Sequence, residues 1–210
     1  MSDRRTHWQK IYADESPSGL SWYQERPERS LQLIRDSAID KGDALIDVGG
    51  GASRLVDYLS GEGFTNLSVL DISGHAMARA KSRLGRSAAA VQWIEADITE
   101  FRTQQRYGLW HDRAVFHFLT DPLDRQKYLD VLTRTLRPQG HLVIAAFAPD
   151  GPEKCSGLAV ERYDAPRLMA VLGEDFQLLG QARELHVTPA NKEQRFMYFH
   201  LVKCRAKEPG

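Results

Sequence analysis

The glycine-rich stretch from Ala44 to Ser53 constrains the fold of this chain most. It reads ALIDVGGGAS, an apolar run that carries one acid and is followed by three consecutive glycines. Such a run is typical of a strand buried on both faces of a parallel sheet. The glycines allow a tight turn and a close approach of ligand to backbone. Residues 54–59 have helical spacing, with Ser53 as the candidate N-cap. The stretch therefore predicts a strand–turn–helix unit of an α/β fold.

Two classes of ligand bind at turns of this kind. Dinucleotides place a pyrophosphate on the helix N-terminus after a G-x-G-x-x-G turn. Here Asp47 lies two residues before Gly49, and Gly51 and Ser53 continue the same spacing. A carboxylate repels a pyrophosphate and attracts a cation, which favours S-adenosylmethionine, a carrier of an ammonium and a sulfonium group, over NAD. A turn without a ligand remains an alternative.

Two further acids follow apolar runs. Asp71 ends the run that begins at residue 67, about 20 residues beyond the turn, where an acid suits ribose hydroxyls. Asp97 ends a third predicted strand and is expected to accept a hydrogen bond from an adenine amino group, with Ile72 and Ile98 on the two sides of the ring. The alternative for such an acid is a helix cap or a loop residue.

A polar triplet follows the fourth predicted strand, which contains Leu109 and Trp110. His111, Asp112 and Arg113 then lie at its carboxyl end, where open α/β sheets bind ligands. A polar triplet in an apolar run costs free energy unless its members are paired or used. The alternative is an internal ion pair between the acid and the arginine.

Two aromatic clusters precede the first strand. Trp8 and Tyr12 lie on one face of a predicted helix, and Trp22 and Tyr23 follow before a helix that Pro27 can open. They form either a hydrophobic staple for the sheet edge or a lid over the glycine turn. The pattern leaves both possibilities open.

The second half of the chain adds three strands. A fifth strand is predicted at residues 141–147, and two long strands at 176–186 and 195–204 are predicted to pair antiparallel. Cys155 falls in a predicted loop, where nothing adjacent activates it, so it is expected to be inert. His117 is expected to be a core histidine.

Composition limits the class of protein. The 210 residues suit one domain, and the formal net charge of zero argues against an electrostatic nucleic-acid binder. There is no apolar run of about 20 residues and no apolar segment of a signal peptide. Two cysteines make no disulfide framework. We therefore expect a cytoplasmic protein, monomer or homodimer, without a membrane or nucleic-acid partner.

The order of these elements resembles a known family. Five strand–helix units and a long hairpin are similar to the class I S-adenosylmethionine-dependent methyltransferases, and residues 47–53 (DVGGGAS), 70–73 (LDIS) and 96–99 (ADIT) resemble the first three motifs of that family. The resemblance implies a single Rossmann-like domain of the α/β class. Its mostly parallel seven-stranded sheet would end in a C-terminal antiparallel hairpin and carry an N-terminal helical lid. The expected divisions are a lid at 1–40, a core at 41–205 and a tail at 206–210.

Two stretches resemble narrower families. The N-terminal aromatics with residues 22–25 (WYQE), and residues 110–114 (WHDRA), resemble thiopurine S-methyltransferases, although a histidine precedes the acid here and an alanine stands for a glycine. This implies that Trp8, Tyr12 and Arg113 contact the cofactor and that Trp22 faces the substrate. The N-terminus is also similar to relatives of citrate synthase lysine methyltransferase, which implies a different substrate.

The polar triplet decides between the acceptors at this stage. Arg113 or a protonated His111 would favour a thiolate, whose thiol has a reference pKa near roughly 8.5. Aromatic walls from Trp22, Tyr23 and Phe116 suit a small apolar acceptor and a sulfonium. The sequence therefore predicts an enzyme that methylates a small thiol, sulfide or related chalcogen. The alternatives are a protein lysine N-methyltransferase, an NAD-dependent oxidoreductase and a non-catalytic nucleotide-binding module.

These arguments define a candidate site without a metal. The predicted catalytic residues are His111 and Arg113. The predicted S-adenosylmethionine site consists of Trp8, Tyr12, Asp47, Gly49, Gly51, Ser53, Asp71, Ile72, Asp97, Ile98 and Arg113.

Overall fold

The computed structural model describes residues 3–14 and 19–205. The helices are α1 (Asp3–Asp14), α2 (Glu28–Asp36), α3 (Leu55–Gly61), α4 (Gly74–Leu84), α5 (Pro122–Thr135) and α6 (Ala165–Leu172). The strands are β1 (Leu45–Val48), β2 (Leu67–Asp71), β3 (Val91–Glu95), β4 (Tyr107–Arg113), β5 (Leu136–Phe147), β6 (Lys154–Cys155), β7 (Leu158–Ala159), β8 (Phe176–Val187) and β9 (Glu193–Lys203). The expected tail at 206–210 lies outside the described residues.

Seven strands form the central sheet, in the order β3-β2-β1-β4-β5-β9-β8. Strands β1 to β5 run parallel, whereas β9 runs antiparallel to both β5 and β8. The predicted α/β fold with a C-terminal antiparallel hairpin is thus confirmed. The strand order reverses between β1 and β4, and open α/β sheets bind their ligands at such a switch point.

The two faces of the sheet are both buried. Neighbouring residues of one strand join different hydrophobic clusters: Leu45 and Leu109 pack on the face covered by α2 and α3, and Ile46 and Trp110 pack on the face covered by α5. Every residue of β1 is buried, including Asp47. This two-sided burial explains the near-continuous apolar runs of the sequence.

Most predicted elements have the expected bounds, and the largest difference is at β5. The sequence predicts a strand at residues 141–147, but β5 already begins at Leu136, which pairs with Tyr107 of β4. Strand pairing therefore overrides the turn signal of Pro138 and Gly140. None of the helices in residues 3–14 and 19–205 combines the length and apolar character needed to cross a bilayer.

The N-terminal segment packs against the glycine turn. Tyr12 and Leu20 form one apolar cluster with Ala52 of that turn and Ala76 of α4. Oε1 of Gln9 accepts hydrogen bonds from the hydroxyl of Ser73, which precedes α4, and from the amide of His75 on α4. These contacts favour the interpretation of the segment as a cover over the turn rather than a staple at the sheet edge.

Candidate active site

Two adjoining cavities lie at the carboxyl ends of β1, β2 and β4. The larger encloses about 850 Å³ and the smaller about 570 Å³, both counting space open to solvent. The cavities share Tyr12, Trp22, Val48, Gly49 and Arg113. We call them the large chamber and the small chamber of one site.

The structure brings most of the predicted site residues together. The large chamber is lined by Trp8, Tyr12, Trp22, Gly49, Asp71, Ile72, Asp97, Ile98 and Arg113. The small chamber adds Tyr23, Asp47, Ser53 and His111. Phe116 lines neither chamber.

The glycine turn leaves room for the acids beneath it. A Cβ atom at Gly50 would collide with the carboxylate of Asp47, and one at Gly51 would collide with the carboxylate of Asp71. Gly49 has φ +70°, and its amide donates a 2.7 Å hydrogen bond to the carbonyl of Leu70. The run of glycines is thus a steric requirement of the two carboxylates as well as of the turn.

Asp71 is buried at the end of β2. Its Oδ1 accepts a 2.8 Å hydrogen bond from the amide of Ser73. Burial, and to a lesser extent the nearby charge of Asp47, raise the pKa of Asp71 to about 7. A polar ligand that donates hydrogen bonds to this carboxylate would replace the water it lost on burial.

Asp97 both caps a turn and lines the large chamber. Its Oδ1 accepts hydrogen bonds from the amide of Thr99 at 2.9 Å and from its hydroxyl at 2.8 Å. Its Oδ2 lies 3.5 Å from Nη1 of Arg4 on α1. Oδ1 of Asp97 therefore acts as a cap, as the alternative predicts. The residue also lines the large chamber with Ile72 and Ile98.

His111 is buried between β1 and α2 and does not line the large chamber. Its Nδ1 lies 2.7 Å from Oδ1 of Asp47, and its Nε2 lies 2.9 Å from Oγ of Ser30. Both ring nitrogens are therefore engaged. Strand alternation points the ring into the face covered by α2, and the predicted role of His111 in activating the acceptor stays a prediction.

Asp112 points to the opposite face of β4. It accepts hydrogen bonds from the amide of Val115 at 2.9 Å and from the hydroxyl of Tyr128 at 2.7 Å. Burial raises the pKa of Asp112 to about 6. The alternative of an ion pair between Asp112 and Arg113 is wrong, because the two side chains lie on opposite faces of the strand.

Arg113 lies at the junction of the two chambers. Its Nε donates to the hydroxyl of Tyr198 at 2.8 Å, and its Nη1 donates to the carbonyl of Trp22 at 3.1 Å. Its Nη2 has no hydrogen-bond partner among the described residues and lies 3.7 Å from the carboxylate of Glu184. The guanidinium stacks over Phe196 at 4.4 Å from the ring centroid. One buried donor is thus left for a ligand.

The aromatic wall differs from the prediction at one position. Phe116 is fully buried and packs against Tyr128 and Tyr163, with ring centroids 4.9 and 5.4 Å apart. Its assignment as a substrate contact is wrong because tertiary packing turns it into the core. Phe118 and Phe196 line the large chamber in its place.

The lining of the large chamber includes two residues without a predicted role in binding. Oε1 of Gln194 is buried and has no hydrogen-bond partner among the described residues. Cys155 also belongs to the lining, and burial raises the pKa of its thiol, which keeps it protonated. Gln194 therefore offers an unpartnered polar atom to a ligand.

His117 and the absence of a metal-binding cluster among the described residues complete the description of the site. Burial lowers the pKa of His117 to about 3, so it is a neutral core residue, in agreement with its interpretation from the sequence. Residues 3–14 and 19–205 contain no group of three or more His, Cys, Asp or Glu side chains placed to hold a metal ion.

The residues present fit S-adenosylmethionine. Two buried carboxylates, Asp47 and Asp71, lie under a turn that any Cβ would obstruct. Oδ2 of Asp47 and Nη2 of Arg113 have no hydrogen-bond partner among the described residues. A ligand with an ammonium and a carboxylate at one end and a ribose at the other supplies the complementary groups.

Comparisons with known proteins point to one chemistry. The sequence matches a family described as a methyltransferase domain over residues 45–140. It is 29% identical over 136 residues to nodulation protein S of Sinorhizobium fredii (strain NBRC 101917 / NGR234), covering 64% of this chain and 62% of that protein. The chain spans between 45% and 62% of the length of the nodulation proteins that it matches.

Solved structures share the fold. The N-methyltransferase NodS from Bradyrhizobium japonicum WM9 in complex with S-adenosylhomocysteine superposes with a TM-score of 0.74 at 19% identity, covering 97% of this chain and 100% of that one. A protein whose structure shows the conversion of a disulfide bond into a thioacetal group during echinomycin biosynthesis has a TM-score of 0.75 at 16% identity, covering 96% and 93%.

Proposed function

We propose that the chain, whose residues 45–140 match a methyltransferase domain, is a class I S-adenosylmethionine-dependent methyltransferase that methylates a nitrogen atom of a small molecule. The single observation that carries the choice of acceptor is the buried, unpartnered amide oxygen of Gln194 in the wall of the large chamber. Such an oxygen only accepts hydrogen bonds, and an N–H group is its natural partner.

Different residues of this chain bind different parts of the methyl donor. Asp71 accepts from the ribose hydroxyls, and Ile72 and Ile98 enclose the adenine, whose amino group donates to Asp97. Asp47 accepts from the ammonium group. When bound, the donor supplies an electrophilic methyl group on a sulfonium.

The acceptor nitrogen is held uncharged. Arg113 lies at the junction of the chambers, and a fixed guanidinium disfavours an ammonium ion nearby. A nitrogen that is neutral near pH 7 keeps its lone pair for attack. Gln194 accepts from its remaining N–H and orients that lone pair. We therefore favour a weakly basic nitrogen over an alkyl ammonium.

The transfer itself needs no protein nucleophile. A bound donor would supply the methyl group of its sulfonium, and transfer to the acceptor nitrogen would leave the electron pair of the broken carbon–sulfur bond on sulfur and one proton to be released to solvent. The side chains position the two reactants, and the walls formed by Trp8, Trp22 and Phe118 exclude water.

The activities named for structural neighbours support nitrogen as the acceptor atom. The NodS neighbour is an N-methyltransferase, and the glycopeptide N-methyltransferase MtfA shares the fold with a TM-score of 0.64. A small thiol is the second candidate, because Arg113 would stabilise a thiolate and because one structural neighbour acts on a disulfide. A lysine side chain is less well supported, since Arg113 borders both chambers and disfavours an ammonium ion nearby.

A panel of acceptors tests the proposal. Purified protein and S-adenosylmethionine are incubated with weakly basic amines, alkyl amines, thiols and a lysine peptide, and both S-adenosylhomocysteine and the mass of the methylated product are measured. We expect turnover on weakly basic amines. Turnover confined to thiols or to the peptide would contradict the proposed acceptor and leave the donor unaffected.

A further inference from the structure

Three buried side chains form a chain of hydrogen bonds beneath the small chamber. Oγ of Ser30 on α2 lies 2.9 Å from Nε2 of His111 on β4, whose Nδ1 lies 2.7 Å from Oδ1 of Asp47 on β1. The exposed fractions are 0%, 3% and 3%, so solvent does not compete for these bonds. We call these residues the Ser30–His111–Asp47 relay.

The partners assign the direction of the bonds. A carboxylate only accepts, so Nδ1 of His111 carries the hydrogen and donates to Asp47. When the ring carries one hydrogen only, Nε2 is an acceptor, and the hydroxyl of Ser30 donates to it. Each member of the relay is satisfied in this arrangement, except for the second carboxylate oxygen.

The second carboxylate oxygen of Asp47 lies beside the glycine turn. Oδ2 of Asp47 is buried without a hydrogen-bond partner among the described residues. It lies against Gly50, and both residues line the small chamber with Ser30 and His111. An unpaired buried carboxylate oxygen is costly unless a ligand supplies a donor.

We propose that Ser30 and His111 are positioning residues that fix the carboxylate of Asp47, so that its Oδ2 receives the ammonium group of the methyl donor. The proposal depends on the proposed function only for the identity of that donor. Anchoring Oδ1 prevents the carboxylate from rotating, and a carboxylate oriented in advance loses less freedom when the ligand binds.

The same order of groups activates the serine in serine hydrolases. Here Ser30 is fully buried within the first turn of α2, and the atom of the relay without a partner among the described residues is Oδ2 of Asp47. In this protein the residue of the relay that contacts the ligand is therefore Asp47, whereas in a hydrolase it is the serine. Labelling of Ser30 by a fluorophosphonate would overturn this direction.

Two ligands separate positioning from a merely structural role. S-Adenosylhomocysteine carries the ammonium group, and 5′-methylthioadenosine has the same nucleoside and thioether without the amino-acid end. We expect His111→Leu to weaken binding of S-adenosylhomocysteine by about tenfold or more, which corresponds to a hydrogen bond that involves a charged group. Binding of 5′-methylthioadenosine should stay within about twofold of the wild type.

Ser30→Ala provides the milder variant, and Ser30→Thr restores the hydroxyl. We expect Ser30→Ala to lower the affinity for S-adenosylhomocysteine but not the affinity for 5′-methylthioadenosine. Ser30→Thr should restore the affinity for S-adenosylhomocysteine. Isothermal titration of each variant with both ligands makes the measurement. A parallel loss of both ligands, or no loss of either, would overturn the proposal. If the wild-type protein fails to bind S-adenosylhomocysteine, the proposed function fails as well, so the two failures are distinguishable.

Discussion

Arg113 donates a hydrogen bond from Nη1 to the backbone carbonyl oxygen of Trp22 at 3.1 Å. This contact joins the end of β4 to the N-terminal segment that covers the glycine turn. Both residues line both chambers. The bond therefore links the sheet, the cover and the candidate site through one side chain.

The first prediction concerns this link. Arg113→Lys keeps the positive charge but loses the planar fork that reaches Tyr198 and Trp22 together. We expect a loss of about 2 kcal/mol in the free energy of unfolding, because these hydrogen bonds involve a charged and nearly buried group. Amides around Trp22 should also exchange hydrogen faster.

Arg195→Lys is the matched control. Arg195 lies on β9 with its side chain 48% exposed, and it pairs only with surface acids. Its substitution should change stability by less than about 0.5 kcal/mol. Equal effects of the two substitutions in urea unfolding would contradict the role assigned to Arg113.

The second prediction concerns the backbone of the turn. Gly49→Ala places a Cβ at φ +70°, where it collides with Val115. We expect a loss of stability of at least about 1–2 kcal/mol, the cost of left-handed backbone for an L-residue, and a loss of donor binding. Gly42→Ala is the control, since a Cβ there meets nothing within 4 Å. Near-normal binding of S-adenosylhomocysteine by Gly49→Ala would contradict the close approach of ligand and turn.

The third prediction follows from the raised pKa of Asp71. The pKa is about 7 in the folded protein against 3.8 for the free side chain. Between about pH 4 and pH 7 the folded state therefore holds a proton that the unfolded state has lost, and stability falls as the pH rises through this window. Asp112, with a folded pKa of about 6, acts in the same direction.

Asp71→Asn removes the Asp71 part of this dependence. The stability of the variant relative to the wild type should rise between about pH 4 and pH 8, by an amount on the order of 4 kcal/mol at about 1.4 kcal/mol for each pKa unit. Urea unfolding at a series of pH values measures the difference. A difference that is independent of pH would show that the pKa of Asp71 is not raised.

The fourth prediction separates acceptor from donor. Gln194→Leu removes the amide oxygen but keeps a similar volume, so the KM for a nitrogen acceptor should rise about tenfold. The dissociation constant of S-adenosylhomocysteine should stay within about twofold, because Gln194 lines only the large chamber. If donor affinity falls as much as acceptor affinity, Gln194 has no specific role in acceptor binding.

The sequence predicts what local signals determine. The strand before the glycines, the acid at the end of β2 and the helix after the glycine turn each follow from a strand or cap pattern in a few residues. The carboxyl ends of parallel strands then meet at one edge of the sheet, which brings Asp71 and Asp97 to one cavity.

Contacts between distant segments were not predictable in this way. Ser30 lies 81 residues before His111 in the sequence, and no local pattern pairs them. Phe116 and Phe118 belong to one short turn, yet packing against α5 buries the first in the core while the second faces the cavity. Gln194 reaches the site only because β9 pairs antiparallel with β5.

Isothermal titration of the wild-type protein with S-adenosylhomocysteine and, separately, with NAD tests the central claim most directly. Saturable binding of one equivalent of S-adenosylhomocysteine, weakened by Asp71→Ala by about 1–3 kcal/mol, is the expected result, with no binding of NAD. Binding of NAD in preference to S-adenosylhomocysteine, or an affinity for S-adenosylhomocysteine unchanged by Asp71→Ala, would contradict it.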